Sequence, residues 1–160
     1  MTVRLRSPLG AAAVLGITVV LAQSASASNT ALPNPCTTVA AASVSAAFGV
    51  KTAVAGKLQS LTANGSAYEI CTFTHGAAQI KLEDAPRKFG ESGSGGAPGM
   101  KISTPTGFGT GAREFVDKNP KFAFSSVDFF KGTYWGSVWG NGKLLTARVV
   151  TLAHAFYAKL

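Results

Sequence analysis

Glu69-Ile70-Cys71-Thr72-Phe73-Thr74, followed by Ala77-Ala78-Gln79-Ile80-Lys81-Leu82-Glu83, is the stretch on which the fold turns. Both runs alternate polar and apolar residues, and His75-Gly76 between them is a turn signal. Together they read as an antiparallel hairpin with one buried face. If Thr74 opposes Ala77, Phe73 faces Ala78 and Cys71 faces Ile80. Cys71, Phe73, Ile80 and Leu82 then share the core side, and Thr72, Thr74, Gln79 and Lys81 the other. The cysteine lands where a bridge to a packed helix would be shielded from water.

The chain has one other cysteine, Cys36, 35 positions earlier. A spacing this wide is not a CxxC redox motif. Both cysteines lie downstream of an apparent export signal, so a structural Cys36–Cys71 disulfide is the expectation. The signal is read from residues 1–27. Arg4 and Arg6 give a positive start, Leu9 to Ala22 an apolar core of 14 residues, and Ala25-Ser26-Ala27 a small-residue cleavage site. A spanning helix needs about 20 apolar residues, so the segment reads as cleaved and the protein as released, secreted or extracellular, with no integral membrane segment after cleavage. No cysteine stands near the cleavage point to take a lipid. The remaining 28–160 is sized for a single domain.

Cleavage removes two of the fifteen basic residues, leaving thirteen against seven acids, a net charge of +6. These charges are scattered, with no basic stripe, so nucleic acid is not an expected partner. Weak attraction to anionic envelope polymers is the function such a balance permits.

Working outward from the hairpin, Thr37 or Thr38 can cap an alanine-rich helix that runs to Phe48, with Gly49 as its left-handed stop. Val50 to Leu61 holds one strand, ended by the turn Ala63-Asn64-Gly65-Ser66. Residues 85–111 carry eight glycines and three prolines in 27 positions. That composition forbids long regular elements, and the segment reads as a mobile surface loop. Beyond it, Ala112–Asp117, Phe122–Phe130 and Thr133–Trp139 read as strands, broken at Asn119-Pro120 and turned at Lys131-Gly132. Phe122–Phe130 is apolar on both faces, as an internal strand should be. Finally, Leu145, Val149, Leu152, Phe156 and Leu160 fall within a stripe of about 80° at helical spacing, with Lys143 and His154 opposite. The fold expected is α+β: an antiparallel sheet of five or six strands flanked by an N-terminal and a C-terminal helix.

No chemical motif survives inspection of its context. Gly107-Phe108-Gly109-Thr110-Gly111-Ala112 matches the dinucleotide string, but that motif needs a strand before it and a helix after it. Here a strand follows. Gly140-Asn141-Gly142-Lys143 lacks the first glycine and the magnesium hydroxyl of a phosphate loop, since Ser137 and Leu144 occupy those places. Gly90-Glu91-Ser92-Gly93-Ser94 fails as a nucleophile elbow. His75 and His154 have no metal-ligating neighbours at suitable spacing and read as exposed bystanders. Glu83-Asp84 sits at the hairpin end, where solvation is the simple explanation. No cofactor is implied.

The aromatic block is what remains. Trp135 and Trp139 share one strand face, and Tyr134 and Val138 the other. If both tryptophans face solvent, they are the first suspects for a site that takes a small apolar or saccharide ligand, with Tyr134 nearby and the glycine-rich loop bordering them. The reading is a non-enzymatic binding or interaction module of the secreted space or cell envelope, with a protein partner also open. An extracellular, hydrolase-like enzyme assembled from scattered residues is the alternative.

One resemblance covers most of the chain after the leader. Asn34-Pro35-Cys36, then Val39, Val44 and Phe48-Gly49, a second cysteine in Ile70-Cys71-Thr72-Phe73, the glycine string 107–112 and a final helix around Leu145–Leu160 resemble a group of small actinobacterial exported proteins and lipoproteins of unknown function. That group looks similar in architecture to PsbP-like proteins, in which an antiparallel sheet is flanked by helices. The resemblance implies a structural role for the glycine string and offers no catalytic residues to carry over. It does not carry over membrane tethering, because the lipid-attachment cysteine that follows the signal in many members is absent here.

Overall fold

The computed structural model describes residues 31–63, 65–92, 99–119, 123–141, 144 and 146–160. The export signal expected at 1–27 lies outside the described residues. The described part is an α+β body built on one antiparallel sheet. In chain order its elements are α1 (Pro35–Thr38), α2 (Ala41–Phe48), β1 (Gly56–Ala63), β2 (Ser66–His75), β3 (Ala78–Pro86), α3 (Arg87–Glu91), β4 (Lys101–Ser103), β5 (Arg113–Asp117), β6 (Phe124–Lys131), β7 (Tyr134–Asn141) and α4 (Thr146–Lys159). The sheet has seven strands in the order β1-β2-β3-β7-β6-β5-β4. That corrects the expected five or six. The extra pairing comes from β4, three residues inside the glycine-rich stretch, which hydrogen-bonds to β5 through Ile102↔Phe115.

The N-terminal helix is two helices. Asn34 caps α1, its side-chain oxygen accepting from the Cys36 amide at 2.9 Å, and Pro35 occupies the first turn, where no amide is needed. Val39 and Ala40 are extended and separate α1 from α2. Gly49, at φ +76°, closes α2 as the sequence suggested.

In the decisive hairpin the two-residue turn sits one residue further along the chain than expected. His75 pairs with Ala78, Phe73 with Ile80 and Cys71 with Leu82, so Gly76 and Ala77 both lie in the loop. The resulting shift is a whole pleat repeat, and the face assignments are unchanged. Cys71, Phe73, Ile80 and Leu82 are buried together with Val127, Phe129 and Val138 of β6 and β7.

Helix α4 lies on this face and contributes Val149, Leu152, Ala153 and Phe156 to the same core. Its close approach depends on two glycines of β7. A side chain at Gly136 would collide with Phe129, and one at Gly140 would come within 2.8 Å of Val149. At the far end of the helix, Lys131 Nζ donates to the Tyr157 carbonyl at 2.7 Å and to Ala158 at 3.2 Å. A cation there satisfies orphan carbonyls and complements the helix dipole. The glycine string 107–112 folds over the same side as a loop. Gly107, Gly109 and Gly111 all have positive φ, and Phe108 is fully buried, stacked on Phe129 and on His154. The string positions a core phenylalanine and leads into β5, in keeping with a structural turn.

Cys36 and Cys71 are bonded, tying α1 to the buried face of β2. Closing a 35-residue loop removes enough freedom from the unfolded chain to stabilise the fold by about 3–4 kcal/mol on the chain-entropy account. Urea titration of Cys36→Ala/Cys71→Ala should therefore show a loss of that size. A loss below about 1 kcal/mol would mean that the bridge constrains little.

Candidate functional site

The sheet face opposite α4 has a regular layout set by the β3–β7–β6 register. On β7, Trp135, Ser137 and Trp139 project from this face in sequence. Trp139 lies between Lys81 and Ser126, Ser137 between Glu83 and Asp128, and Trp135 between Ala85 and Phe130. Two tryptophans thus bracket a row in which a hydroxyl stands between two carboxylates.

Helix α3 packs on this face at the Trp135 end. Phe89 lies 5.5 Å from the Trp135 ring and stacks on Tyr68 at 5.0 Å, leaving Trp135 only 8% exposed. Gly90 sits directly against the indole, where a Cβ would overlap Cδ1 and Cγ. Between α3 and the sheet is a cleft of about 190 Å³ lined by Gly90, Glu91, Gly111, Arg113, Asp128, Phe130 and Trp135. Arg87 stands at its rim, paired with Glu91 at 2.8 Å and with its guanidinium 5.0 Å from the Phe130 ring. At the other end Trp139 is half-buried, with Lys81 Nζ 5.2 Å from its ring centre and Phe124 at 6.0 Å.

The carboxylates of the central row are held toward their protonated forms. Burial raises Asp128 to about 6, against the opposing pull of the Ser137 hydroxyl, which donates to it at 2.8 Å, and of Arg113. Burial also raises Glu83, with Lys81 opposing the shift and Asp128 adding to it. A third acid, Asp84, points the other way. It belongs to the α4 face, pairs across the ladder with Glu69 and Gly136, is fully buried, and neither carboxylate oxygen has a hydrogen-bond partner. Burial, reinforced by Glu69 and weakened by its own backbone amide, lifts it to about 7. The reading of Glu83-Asp84 as a solvated hairpin end is thereby corrected. β3 continues to Pro86, so both acids lie inside the ladder.

Of the residues singled out from the sequence, Trp135 and Trp139 do share a face, but α3 buries Trp135 except where it lines the cleft. Tyr134 is half-buried on the opposite face and joins neither tryptophan. The glycine-rich stretch does border the cleft, through Gly90, Glu91 and Gly111. It contains α3 and β4, while 93–98 lie outside the described residues. His75 and His154 are exposed and belong to neither the cleft nor the carboxylate row. Among the described residues no three His, Cys, Asp or Glu side chains gather as a metal site would require. The sequence reading promoted none of Glu83, Asp128, Ser137 and Arg113 and could not bring them together, because they meet only through pairing between distant strands. Strand alternation could have placed Ser137 between the tryptophans, but not its neighbours. Comparison of the chain with family models, with curated proteins and with solved structures finds no match.

Two measurements test this description. Asp84 and Asp128 keep their protons to about pH 7 and 6 when folded, whereas unfolded aspartates release theirs near 4. Between those limits the native state binds more protons, so stability should fall as pH rises from about 4 to 7 and level off above. Asp84→Asn should flatten most of that slope and raise the melting temperature at pH 8; a slope unchanged by the variant would refute the assignment. Separately, Gly90→Val should push α3 off the indole, lowering the melting temperature and red-shifting tryptophan emission.

Proposed function

We propose that the protein is an exported, non-enzymatic binding module of the secreted space or cell envelope, and that its ligand is a saccharide bound on the Trp135–Ser137–Trp139 face. The observation that carries this reading is the carboxylate–hydroxyl–carboxylate row set between two indoles and opening into the cleft beneath α3. Aromatic faces offer flat apolar contact, and a few convergent polar groups fix orientation, which is the usual make-up of a small-molecule site. Sugar rings present both an apolar C–H face and hydroxyl donors, which Glu83 and Asp128 can accept. The oxidised cysteine pair supports an oxidising compartment. No helix among the described residues is long and apolar enough to cross a membrane. Kinship with the actinobacterial exported group rests on the quoted motifs and is offered on the same footing.

The raised protonation of Asp128 and Glu83 favours a second reading. A carboxyl that keeps its proton near neutral pH can act as a general acid, and two carboxyls flanking a bound sugar are the equipment of glycoside hydrolysis.

A thermal-shift screen of the oxidised protein against envelope saccharides, lipids and anionic polymers, at low and high salt, separates these outcomes. The expected result is a salt-resistant rise in melting temperature with a saccharide. Trp139→Ala should weaken that binding about tenfold through lost ring contact. A shift that vanishes with salt would replace the site with surface charge. Release of reducing sugar that Asp128→Asn abolishes would establish the enzyme instead.

A further inference from the structure

The sheet ends at β1 on one side and at β4 on the other, and the two edges are built differently. An unpaired edge displays a row of free amides and carbonyls, and proteins blunt it with short strands, bulges, prolines or charges. β4 follows that practice, being three residues long. β1 does not. It has eight residues, Gly-Lys-Leu-Gln-Ser-Leu-Thr-Ala, with no proline and a single charge at Lys57. Its register with β2 runs unbroken from Gly56↔Phe73 to Ala63↔Ser66, so no bulge interrupts it. Every residue from Gly56 to Thr62 is exposed. Two of the three exposed large hydrophobic residues among the described ones, Leu58 and Leu61, lie on it.

We propose that β1 is the interface of a two-fold dimer, in which it pairs antiparallel with β1 of a second copy to make one continuous sheet. A two-fold axis perpendicular to the sheet keeps the α4-bearing faces of both copies on the same side. Opposed residues must then come from the same face, which restricts the axis to positions passing through a residue. Full overlap leaves two centres, Gln59 or Ser60. About Ser60, Lys57 meets Ala63, Leu58 meets Thr62 and Gln59 meets Leu61. About Gln59, Lys57 meets Leu61 and Leu58 meets Ser60. In both, the only charge on the strand avoids its own copy, and both leucines gain a cross-strand partner. The strand is therefore self-complementary in charge, which favours a second copy over a foreign peptide. This inference stands apart from the saccharide reading, since the tryptophan row is three strands away.

Sedimentation equilibrium of the oxidised protein, from micromolar to hundreds of micromolar, reads the result. A monomer–dimer equilibrium is expected, strengthened by salt because the copies share a positive charge. Gln59→Lys/Ser60→Lys opposes like charges about either centre at exposed positions, and should weaken the dimer at least tenfold without lowering the melting temperature. In wild type, hydrogen exchange of the β1 amides that point away from β2 should slow as concentration rises. That readout needs no variant. A protein that stays monomeric throughout, or a dimer indifferent to the two lysines, overturns the proposal.

Discussion

The ladder between β3 and β7, from Ile80↔Gly140 to Pro86↔Tyr134, is the seam on which the molecule depends. It joins two antiparallel runs, β1-β2-β3 and β4-β5-β6-β7, each of which could pair locally but could bury only part of its apolar face alone. Everything distinctive sits along that line. The two β7 glycines that admit α4 lie on one side of it, and the tryptophan row on the other. Glu83 meets Ser137 and Asp84 meets Gly136 only because this register is set. A slip of one residue would turn Val138 away from the face that carries Leu82 and bring the tryptophans onto it.

The two faces of the seam divide the labour. The α4 side is filled largely by aliphatic and phenyl groups, and among the described residues its buried side chain without a hydrogen-bond partner is Asp84, a carboxyl beside Glu69. Such a group is expensive to bury charged and much less so when neutral, which is why its proton is retained. On the opposite side the acids do have partners. Asp128 accepts from Ser137, and Glu83 has Lys81 close by. That difference separates a constraint on stability from the face on which we propose that a ligand binds.

Much of the fold was legible because it is written in local pattern. The hairpin faces, the αL glycine after Phe48, the final amphipathic helix and the Cys36–Cys71 pair all follow from periodicity or from residue chemistry within a short window. What escaped is non-local. Nothing near Lys101-Ile102-Ser103 marks it as a strand, because a three-residue edge exists only by virtue of β5. The break at Val39-Ala40 was hidden by an alanine-rich run that suits a continuous helix equally well. The site was half legible: alternation aligned the two tryptophans, while α3, placed over Trp135 by Phe89 and by the absence of a side chain at Gly90, came from a stretch whose composition suggested only loop.

Cys36 and Cys71 also make a closed covalent ring out of the chain between them, and that ring contains α2, all of β1 and the first part of β2. A single peptide-bond cleavage anywhere within it leaves the two fragments joined, so a protease that opens the exposed loop before β1 would nick the molecule without dividing it. In the exported setting proposed above, where hydrolases are common and resynthesis is distant, the bridge would then serve as insurance against fragmentation, and it encloses the exposed edge strand β1.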